Sequence, residues 1–465
     1  GNANDESGNG KNAIVTGSTL SKDRFDQSNK AYSFDGNDHI YSNLKISEDN
    51  TFSLNFWLKD DSTTNAYRRW LTTTSGGFQS NTITVREQSS GQMTIYAGQY
   101  STPNNKNFWK DGYWHMISVV SNGTNSKLFY DSHLVGTTSG AVIPQHGLFL
   151  GGYYSGGEYL IGGLDDIRIY NKPLSDKKII ELYDLEKPSN PVESIPGLTL
   201  WLDAKNIDGK QNTTLNKGSS ISEWKDLSGN GNNAAQSTVS NQPSLASSYQ
   251  NNNNVISFTN TDELEIPHNE SLSVGDQNYG IFHVVKKTGN NTLYLLSKGR
   301  AGHNGTNYRR YYTYLTDSLF GHEIDEDPQW YAVETSQNFK NEYRLIYTER
   351  NDGYLNNYVD GVLYNSTKLP SGYGSLDETS PTSMIIGGKP WGSTTSNMDL
   401  AEILMFKKAL SQAERTQVIR HLSKKWGLEL TVDSDNDGIV DVHDLDPEDP
   451  KKWMVMSSVL RKNSS

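Results

Sequence analysis

Apolar and polar residues alternate along much of the chain with the two-residue period of β-strands. Between residues 166 and 170, Ile167 and Ile169 share one face of an extended backbone, and their neighbours take the other face. Asp131 and Gly361 follow similar segments, at positions where hairpin turns need residues with tolerant backbone dihedrals. The pattern predicts an all-β chain of short, half-buried antiparallel strands.

Two segments instead have the period of a short helix. Ser411 and Glu414 form a capping box ahead of an apolar stripe, and Gly427 follows at the predicted helix end. Ser175 begins an equivalent helix earlier in the chain. The apolar stripes have helical spacing and comprise Ile179, Leu182 and Tyr183 in the first helix and Val418, Ile419 and Leu422 in the second.

The chain contains one module twice, at an offset that drifts between about 221 and 236 residues. Residues 7–13 return as 228–234, and the segments that close each module, 148–170 and 384–406, match best. We therefore predict five regions, namely a sandwich at 1–186, a proline-containing linker at 187–194, a larger sandwich at 195–430, a calcium repeat at 431–452 and a tail at 453–465.

The first module carries several recognisable motifs, namely Ser-Gly-Asn-Gly at 7–10, Phe-Asp-Gly at 34–36, Trp-His at 114–115, the hairpin at Asp131 and the closing segment at 163–170. Together they resemble the laminin G-like branch of concanavalin A-like lectin/glucanase domains. The resemblance covers nearly all of 1–186 and extends more loosely over 195–430, where 198–204 looks like the opening strand of a larger variant. It implies two antiparallel jelly-roll β-sandwiches in tandem, each closed by a short helix.

Composition favours a secreted β-rich protein. The chain has 41 Gly, 26 Tyr and 10 Trp but only 34% hydrophobic residues, as expected for sandwiches with polar faces and many turns. The net charge of −12 disfavours nucleic acid and anionic membranes as partners, and no apolar run is long enough to predict a transmembrane segment. Because Cys is absent, a bacterial origin is favoured over a disulfide-rich eukaryotic one. We expect a monomeric fragment of a larger exported protein, since no signal peptide opens the sequence.

An aspartate-rich segment near the end of the chain predicts a Ca²⁺ site. Alternate carboxylates around Gly438 at the sixth loop position suit a hard cation that takes six to eight oxygen ligands. The predicted ligands are Asp433, Asp435, Asp437, Ile439, Asp441, Asp444, Asp446 and Asp449. The segment resembles a thrombospondin type 3 repeat more than an EF-hand, because Asp replaces Glu at the twelfth position and no helical pattern flanks it. The alternative is a solvated acidic linker.

A second calcium site is implied by the family resemblance, at the rim of the first sandwich. Its candidate ligands are Asp35, Asn37, Asp38, Asp165 and Asp166. The alternative leaves these residues to form turns and rim salt bridges, with Asp166 paired to Arg168 or Lys172. The second module has Thr259, Asn260 and Ala401 at matching positions, so a metal is not favoured there.

Loop aromatics are the candidates for sugar binding, because a pyranose ring stacks on an aromatic face while its hydroxyls need donors and acceptors. The candidate residues are Trp109, Tyr153, Tyr154 and Tyr159 in the first module and Trp391, Tyr308, Arg309 and Arg310 in the second. With Tyr311 and Tyr312, the last three form a mixed strip suited to an acidic glycan. The alternative is that each ring covers the edge of the core. Trp57, Trp114, Trp201 and Trp224 lie within strand patterns and are predicted core residues.

Catalysis is not predicted. Glucanases of the superfamily place two carboxylates on one strand, and only Glu323, Asp325 and Asp327 approach that alternation. Pro328 follows at once, so we expect a polar surface loop instead. No His spacing indicates a catalytic metal, and without Cys there is no thiolate chemistry.

The leading functional hypothesis is non-catalytic carbohydrate binding, assisted by Ca²⁺, in a bacterial cell-surface or secreted protein. The expected partner is a polysaccharide or glycan on a cell surface or matrix, and two weak sites would gain avidity on one polymer. One alternative is an adhesion or scaffold module that binds surface proteins, with the calcium repeat stiffening a stalk. Another is an accessory module of a polysaccharide-degrading enzyme.

Overall fold

The computed structural model describes most of the chain as two compact units, Gly1–Ser189 and Asn190–Ser465, called unit 1 and unit 2 below. The described residues are 2–25, 27–47, 49–73, 83–96, 100–101, 109–110, 113–139, 147–153, 157–188, 190–210, 212, 215–246, 250–251, 253–299, 309–326, 329–371, 373, 375–376, 382–389, 396–444, 447 and 450.

Unit 1 is built from antiparallel strands. They are β1 Ile14–Thr16, β2 Thr19–Ser21, β3 Ala31–Asp35, β4 His39–Ser42, β5 Thr51–Asp60, β6 Arg68–Thr72, β7 Thr84–Glu87, β8 Met93–Tyr96, β9 Tyr100–Ser101, β10 His115–Asn122, β11 Asn125–Tyr130, β12 His133–Ser139, β13 Leu148–Leu150 and β14 Ile161–Tyr170. One sheet, the front sheet, has the order β1-β4-β13-β6-β7-β8-β9, and the back sheet has the order β12-β11-β10-β5-β14-β3-β2.

Unit 2 repeats this plan with longer strands. They are β15 Leu198–Asp203, β16 Glu223–Trp224, β17 Ala234–Ala235, β18 Ser244–Leu245, β19 Ile256–Phe258, β20 Leu264–Ile266, β21 Tyr279–Lys287, β22 Leu293–Gly299, β23 Arg309–Leu315, β24 Leu319–Glu326, β25 Gln329–Ser336, β26 Tyr343–Asn351, β27 Tyr354–Val359, β28 Val362–Lys368, β29 Met384–Ile386 and β30 Met398–Phe406.

The front sheet of unit 2 has the order β16-β17-β20-β29-β22-β23-β24-β25, and its back sheet has the order β18-β19-β30-β21-β26-β27-β28, with β15 also paired to β30. Reading β4-β13-β6-β7-β8 against β20-β29-β22-β23-β24 gives the same succession of elements in both units. Apolar side chains from both sheets of each unit form its core. The predicted fold class, antiparallel jelly-roll sandwiches, is confirmed.

Three helices are described, α1 Asp176–Glu186, α2 Pro191–Ser194 and α3 Gln412–Trp426. Short 3₁₀ turns occupy Ala204–Asn206, Val239–Asn241 and Glu270–Leu272. The capping box of α3 is formed, since Ser411 Oγ accepts from the Glu414 N–H at 3.3 Å and the Glu414 carboxylate accepts from the Ser411 N–H at 2.9 Å. Gly427 ends α3 with φ of 63°, and Ser175 caps α1, as predicted. No helix among the described residues is long and apolar enough to cross a membrane.

Trp57, Trp201 and Trp224 are core residues, as predicted, whereas Trp114 is only partly buried. One expectation was wrong. The acidic segment around Glu323 is not a surface loop but strand β24, which pairs with β23 and β25 along its length. Asp327 and Pro328, which follow this strand in the sequence, lie outside the described residues.

Candidate functional site

Three tyrosine rings cluster on the side of the unit 2 front sheet that faces away from the core. Tyr311 and Ile324 point into the core, so strand alternation turns Tyr312 and Glu323 to the opposite side. Cross-strand pairing places Tyr294 opposite Tyr314. The ring centroids of Tyr294, Tyr312 and Tyr314 lie 5.7 to 6.2 Å apart. We call Tyr294, Tyr312, Tyr314, Glu323 and Glu334 the tyrosine face.

The hydroxyls of this face donate to carboxylates. Tyr314 Oη donates to Glu334 Oε1 at 2.5 Å, and the Tyr312 hydroxyl donates to the Glu323 carboxylate. Tyr314 reaches across β24 because Gly321 lies beneath its ring, where an added Cβ would stand 2.2 Å from the ring. Burial raises the pKa of both tyrosines and of Glu323. The phenols therefore stay protonated, and the carboxylates present further lone pairs to a ligand.

An exposed tryptophan borders the tyrosine face. Trp330 is 64% exposed, although β25 holds its backbone directly opposite Asp325. Asp325 in turn lies opposite Arg310, and Arg310 Nη2 forms a 2.7 Å ion pair with Asp325 Oδ2. The three residues form one row across β23, β24 and β25. A large flat apolar surface thus stands beside fixed planar polar groups.

The front sheet of unit 1 has different chemistry at the same place. Arg69 lies opposite Arg86 across β6 and β7, and both side chains are almost fully buried. Glu158 Oε2 accepts from Arg69 Nε at 2.6 Å and from Arg86 Nη1 at 3.4 Å. The Arg69 guanidinium lies 4.0 Å from the ring centroid of Tyr153. We call Arg69, Arg86, Tyr153 and Glu158 the arginine face.

Two landmarks establish that the faces correspond. A β-bulge interrupts the β6–β7 register between Arg69 and Leu71, and another interrupts the β22–β23 register between Tyr294 and Leu296. The Gly-Gly pair after β13 precedes Tyr153, and the Gly-Gly pair after β29 precedes Lys389. Lys389 Nζ lies 4.6 Å from the Tyr294 ring centroid. Arg69 therefore corresponds to Tyr294.

The predicted sugar-binding residues have several different positions. Trp109 was wrongly predicted as an exposed ring, because it is fully buried and packs edge-on against Trp70 at 5.5 Å. Tyr153 belongs to the arginine face, and Tyr159 is half-buried beside Gly152. Arg309 and Arg310 both lie in β23, with only Arg310 on the side of the tyrosine face. The predicted residues outside the described part of the chain are Tyr154, Trp391 and Tyr308.

The predicted rim calcium site of unit 1 does not assemble. Asp35 lies opposite Ile161, four residues before Asp165 along β14, which separates the two by about 13 Å. Asp38 accepts from the Asp35 N–H at 3.1 Å. Asn37 is a half-buried residue of the same turn.

The closing strand carboxylates of that predicted site are occupied by arginines. Arg24 pairs with Asp165 at 2.5 Å and with Asp166 at 3.0 Å, and Arg168 pairs with Asp166 at 2.6 Å. Salt bridging, the alternative reading of these carboxylates, therefore describes them correctly. Their charges are neutralised away from the Asp35 turn.

The aspartate-rich segment brings three carboxylates together. Ligand oxygens of Asp433, Asp435 and Asp437 lie within 4.8 Å of one another. Asp433 Oδ2 accepts from the Gly438 N–H at 2.9 Å, and Asp437 Oδ1 accepts from the Ile439 N–H at 2.8 Å. Oδ2 of Asp435 and Oδ2 of Asp437 are buried and have no hydrogen-bond partner within the described part of the chain. Such orphaned anionic oxygens fit a hard cation.

Electrostatics agree with that fit. Burial, together with the charges of Asp437 and Asp444, raises the pKa of Asp435 to about 7. Burial also raises the pKa of Asp433. Asp444 closes a tight turn, in which its N–H donates to Val440 O at 3.2 Å, and its charge acts on Asp435. A cation between these groups would remove the repulsion.

Asp441 was predicted to be a Ca²⁺ ligand, but it has a different structural role. Its carboxylate accepts from Ser434 N–H and Oγ–H, both at 2.8 Å, and lies 3.3 Å from Arg420 of α3. It therefore fixes the loop to the helix instead of converging with the other aspartates. Asp446 and Asp449 lie outside the described residues.

The loop is anchored to unit 2 at a second place. The Asp433 N–H donates to Asp360 O at 3.0 Å, in the turn between β27 and β28. Gly361 has φ of 92°, and an added Cβ would lie 1.7 Å from Asp433 O. Only glycine allows this approach. The aspartate loop thus rests on both a hairpin and a helix of unit 2.

Sequence reasoning missed Trp330, Tyr294, Tyr314 and Glu334. The signal was present in 309–315, where Tyr312 and Tyr314 alternate with apolar or small residues. Strand alternation alone would have placed them on the face opposite Tyr311. Because a loop was predicted ahead of Pro328, this alternation was not recognised as part of a sheet.

Solved structures with a similar fold include the binding domain of Paraclostridial Mosquitocidal Protein 1, at 17% identity and a TM-score of 0.36, over 50% of this chain and 55% of that one. Ruminococcus gnavus IT-sialidase CBM40 bound to alpha2,3 sialyllactose matches at 16% identity and 0.26, over 29% of this chain and 78% of that one. Mouse laminin alpha1 domains LG4-5 match at 11% identity and a TM-score of 0.29, over 82% of this chain and 92% of that one.

A botulinum neurotoxin type C structure also has a similar fold. The chain spans about half the length of two of these structures, 55% of the mosquitocidal protein's chain and 52% of the neurotoxin's. At these scores the structures carry no functional argument. No curated protein sequence matches the chain. Residues 34–180 match the sequence model of the concanavalin A-like lectin/glucanases superfamily, so the predicted resemblance is confirmed for this part of unit 1.

Proposed function

We propose that the chain binds carbohydrate through the tyrosine face of unit 2 and Trp330, and does not cleave it. The observation that carries the proposal is the 64% exposed Trp330 ring, held beside the Arg310–Asp325 ion pair on a rigid sheet. A pyranose can stack its apolar face on such a ring while its hydroxyls bond to the neighbouring charged groups.

The face suits a neutral sugar rather than an acidic one. Arg310 is already paired with Asp325, and Glu323 and Glu334 add negative charge. Carboxylates accept hydrogen bonds from sugar hydroxyls but repel a uronate or sialate. Of the two arginines in the predicted mixed strip, only Arg310 lies on this side of the sheet, and its ion pair with Asp325 does not favour an acidic glycan.

The absence of cleavage is part of the proposal. Glu323 and Asp325 share one face of β24, which is the spacing that two catalytic carboxylates need. However, the Arg310 guanidinium already pairs with Asp325 at 2.7 Å, so this carboxylate is not open to a substrate. Incubation with a bound polysaccharide should release no reducing sugar, and release that Glu323→Gln abolishes would contradict the proposal.

Binding is tested with a panel of neutral and acidic polysaccharides, followed by isothermal titration of those retained. Trp330→Ala should weaken binding of a neutral glycan by about five- to thirtyfold, because stacking on an exposed ring contributes on the order of 1–2 kcal/mol. Tyr354→Ala is the matched control, since Tyr354 is 40% exposed but lies in β27 of the back sheet. Equal affinity of wild type and Trp330→Ala, or no binding by any polysaccharide, would overturn the assignment.

We also propose that Asp433, Asp435 and Asp437 bind Ca²⁺, with the Ile439 carbonyl, Asp444 and water completing the shell. The support is the convergence of three carboxylates and the two buried oxygens without partners. Titration should show saturable Ca²⁺ binding that Asp435→Asn removes and that Asp352→Asn, a change in an exposed unit 2 turn, preserves. Unchanged affinity in Asp435→Asn would contradict the site.

The setting proposed for this activity is the outside of a bacterial cell, where a glycan on a cell surface or matrix would be the partner. A neutral-sugar face and a cysteine-free sandwich suit that environment. Antibody labelling of intact source cells should detect the protein. Detection only after lysis would contradict this location.

A further inference from the structure

Three charged side chains meet in the interior of unit 2, where its first strand, last strand and last helix join. Asp203 ends β15, Glu402 lies in β30 and Lys425 lies in the final turn of α3. They are 5%, 1% and 5% exposed. Lys425 Nζ lies 2.7 Å from Asp203 Oδ2 and 2.7 Å from Glu402 Oε2.

The surroundings hold each group in place. Asp203 lies directly opposite Glu402 in the β15–β30 register. Trp201 Nε1 donates to Glu402 Oε1 at 2.7 Å, and Trp426 Nε1 donates to Glu402 Oε2 at 2.6 Å. These two bonds fix Glu402 beside the ammonium of Lys425.

The Asp203 carboxyl group is also held in place. The Lys205 N–H donates to Asp203 Oδ1 at 2.8 Å, which leaves Oδ2 facing Lys425. Trp224 Nε1 donates to the main-chain oxygen of Asp203 at 3.0 Å. One water-poor cluster therefore contains the amine of Lys425, the carboxyl of Asp203 and a proton acceptor, Glu402. It also contains a backbone N–H, that of Lys205, which bonds to Asp203 Oδ1.

We propose that Lys425 Nζ and Asp203 Cγ condense into an intramolecular amide cross-link, with Glu402 carrying protons. The ammonium passes a proton to Glu402, and the neutral amine attacks Cγ. The N–C bond forms and the Cγ–Oδ2 bond breaks. Oδ2 takes one proton from Glu402 and one from the amine and leaves as water, so no oxidant or co-reactant is needed.

The surroundings favour proton acceptance by Glu402 and the attack on Cγ. Burial acts to lower the pKa of Lys425, but the charges of Asp203 and Glu402 raise it overall, so loss of its proton is the step that the surroundings oppose. Burial raises the pKa of Glu402, which makes it a better proton acceptor from the ammonium. The Lys205 N–H points at Oδ1, where negative charge develops in the tetrahedral intermediate. Condensation also replaces a buried ion pair, whose desolvation is unfavourable, with a neutral amide.

At the closing helix of unit 1, the described residues place arginines and not a lysine against the buried carboxylates. Trp57 Nε1 donates to Glu186 Oε2 at 3.4 Å, which resembles the Trp–Glu contacts of unit 2. The cations there are Arg24 and Arg168, which pair with Asp165 and Asp166. Guanidinium groups stay protonated and do not acylate under these conditions. The reaction is therefore expected in unit 2 alone.

The cross-link would join residues 222 positions apart in sequence. It ties the first strand of unit 2 to its last helix, so pulling on both ends of the sandwich would not extend the chain between them. Such a bond suits a binding module that carries load on a surface.

The test is the intact mass of the purified full chain. Wild type should be lighter than its sequence mass by one water molecule, and a protease digest should yield a branched peptide joining Asp203 to Lys425. Lys425→Arg should have its full sequence mass, whereas Lys424→Arg, which changes the exposed neighbour, should keep the deficit. When the wild type has reacted completely, most Glu402→Gln molecules should still have their full sequence mass.

A wild-type chain at its full sequence mass would overturn the inference and leave an ordinary buried ion pair. This outcome needs no variant to fold. A deficit that persists in Lys425→Arg would also overturn it, since another pair of residues would then be joined.

Discussion

The front sheets of the two units place a cation against an aromatic ring at the same position, but exchange which partner belongs to the sheet. In unit 1 the sheet supplies Arg69 and the loop after the Gly-Gly pair supplies Tyr153, 4.0 Å away. In unit 2 the sheet supplies Tyr294 and the loop supplies Lys389, 4.6 Å away. The fold places the two side chains together, and the sequence decides whether the sheet supplies the cation or the ring.

This exchange changes the character of the surrounding surface. In unit 1 two arginines lie opposite each other and share the Glu158 carboxylate. In unit 2 rings and carboxylates occupy the corresponding strands, and Trp330 extends the surface to the sheet edge. Units with one topology therefore present a buried cationic pair and an open aromatic surface.

The largest difference should be seen in acid, because unit 2 buries two histidines between its sheets. His283 and His322 are fully buried, and burial lowers the pKa of each to about 3. Their ring nitrogens bond to hydroxyls of Thr313, Tyr279 and Thr348. In unit 1, buried His115 lies instead 2.6 Å from a carboxylate oxygen of Asp131.

The unfolded histidines bind protons below a pH of about 6.5, whereas the folded ones do not until about pH 3. Their contribution is fully present above about pH 6.5 and is lost as pH falls toward 3, by roughly 3 kcal/mol per pH unit for the two together. Hydrogen exchange of the full chain between pH 7 and 4.5 should show β21 of unit 2 losing protection beyond the intrinsic pH effect, relative to β5 of unit 1. Equal losses would contradict this.

Calcium should also distinguish the two units, because it should stabilise unit 2, whereas acid destabilises it. The aspartate loop rests on the β27–β28 turn and on α3, so a bound ion should stabilise unit 2 and not only the loop. At a concentration of about 100 times the dissociation constant, the gain is about 2.7 kcal/mol. Chelator should lower the melting temperature of unit 2 and leave that of unit 1 unchanged.

The same experiment has a pH dependence. Because the pKa of Asp435 is about 7 without metal, protons compete with Ca²⁺ as pH falls below 7. Affinity should therefore weaken from pH 7.5 to pH 6. Affinity that does not change over this range, or a chelator effect on unit 1, would contradict the assignment.

The exchanged cation–ring contact can be broken from either side. Arg69→Ala should destabilise unit 1 by about 2 kcal/mol, because Arg69 is buried and leaves Glu158 without its shorter ion pair. Lys389→Ala should cost unit 2 about 0.5 kcal/mol, since Lys389 is only half-buried. Denaturant titrations of both variants measure the difference. Equal costs would show that the two contacts do not differ as described.

The sequence predicted much of this architecture and less of its surfaces. The alternation in 166–170 and the capping box at Ser411 are local signals, and both elements form as expected. Trp109 and the rim carboxylates depend on partners distant in sequence, Trp70 and Arg24, which no local pattern reveals. The loop predicted before Pro328 was wrong because pairing with β23 and β25, which a local pattern does not reveal, makes the segment around Glu323 a strand.

A small effect on binding is expected from the hydroxyl of Tyr314. Tyr314→Phe removes its bond to Glu334 but keeps the ring, so affinity for a neutral glycan should fall only a few-fold, or about 1 kcal/mol. Isothermal titration beside Trp330→Ala compares the hydroxyl with the ring. A larger loss from Tyr314→Phe would shift the main contact from stacking to hydrogen bonding.

The central claim, that the aromatic surface of unit 2 is the binding surface, is tested most directly by hydrogen exchange with and without a saturating neutral oligosaccharide. The account predicts slower exchange in β23, β24 and β25. Protection confined to β6 and β7 of unit 1, or protection in neither sheet, would contradict it.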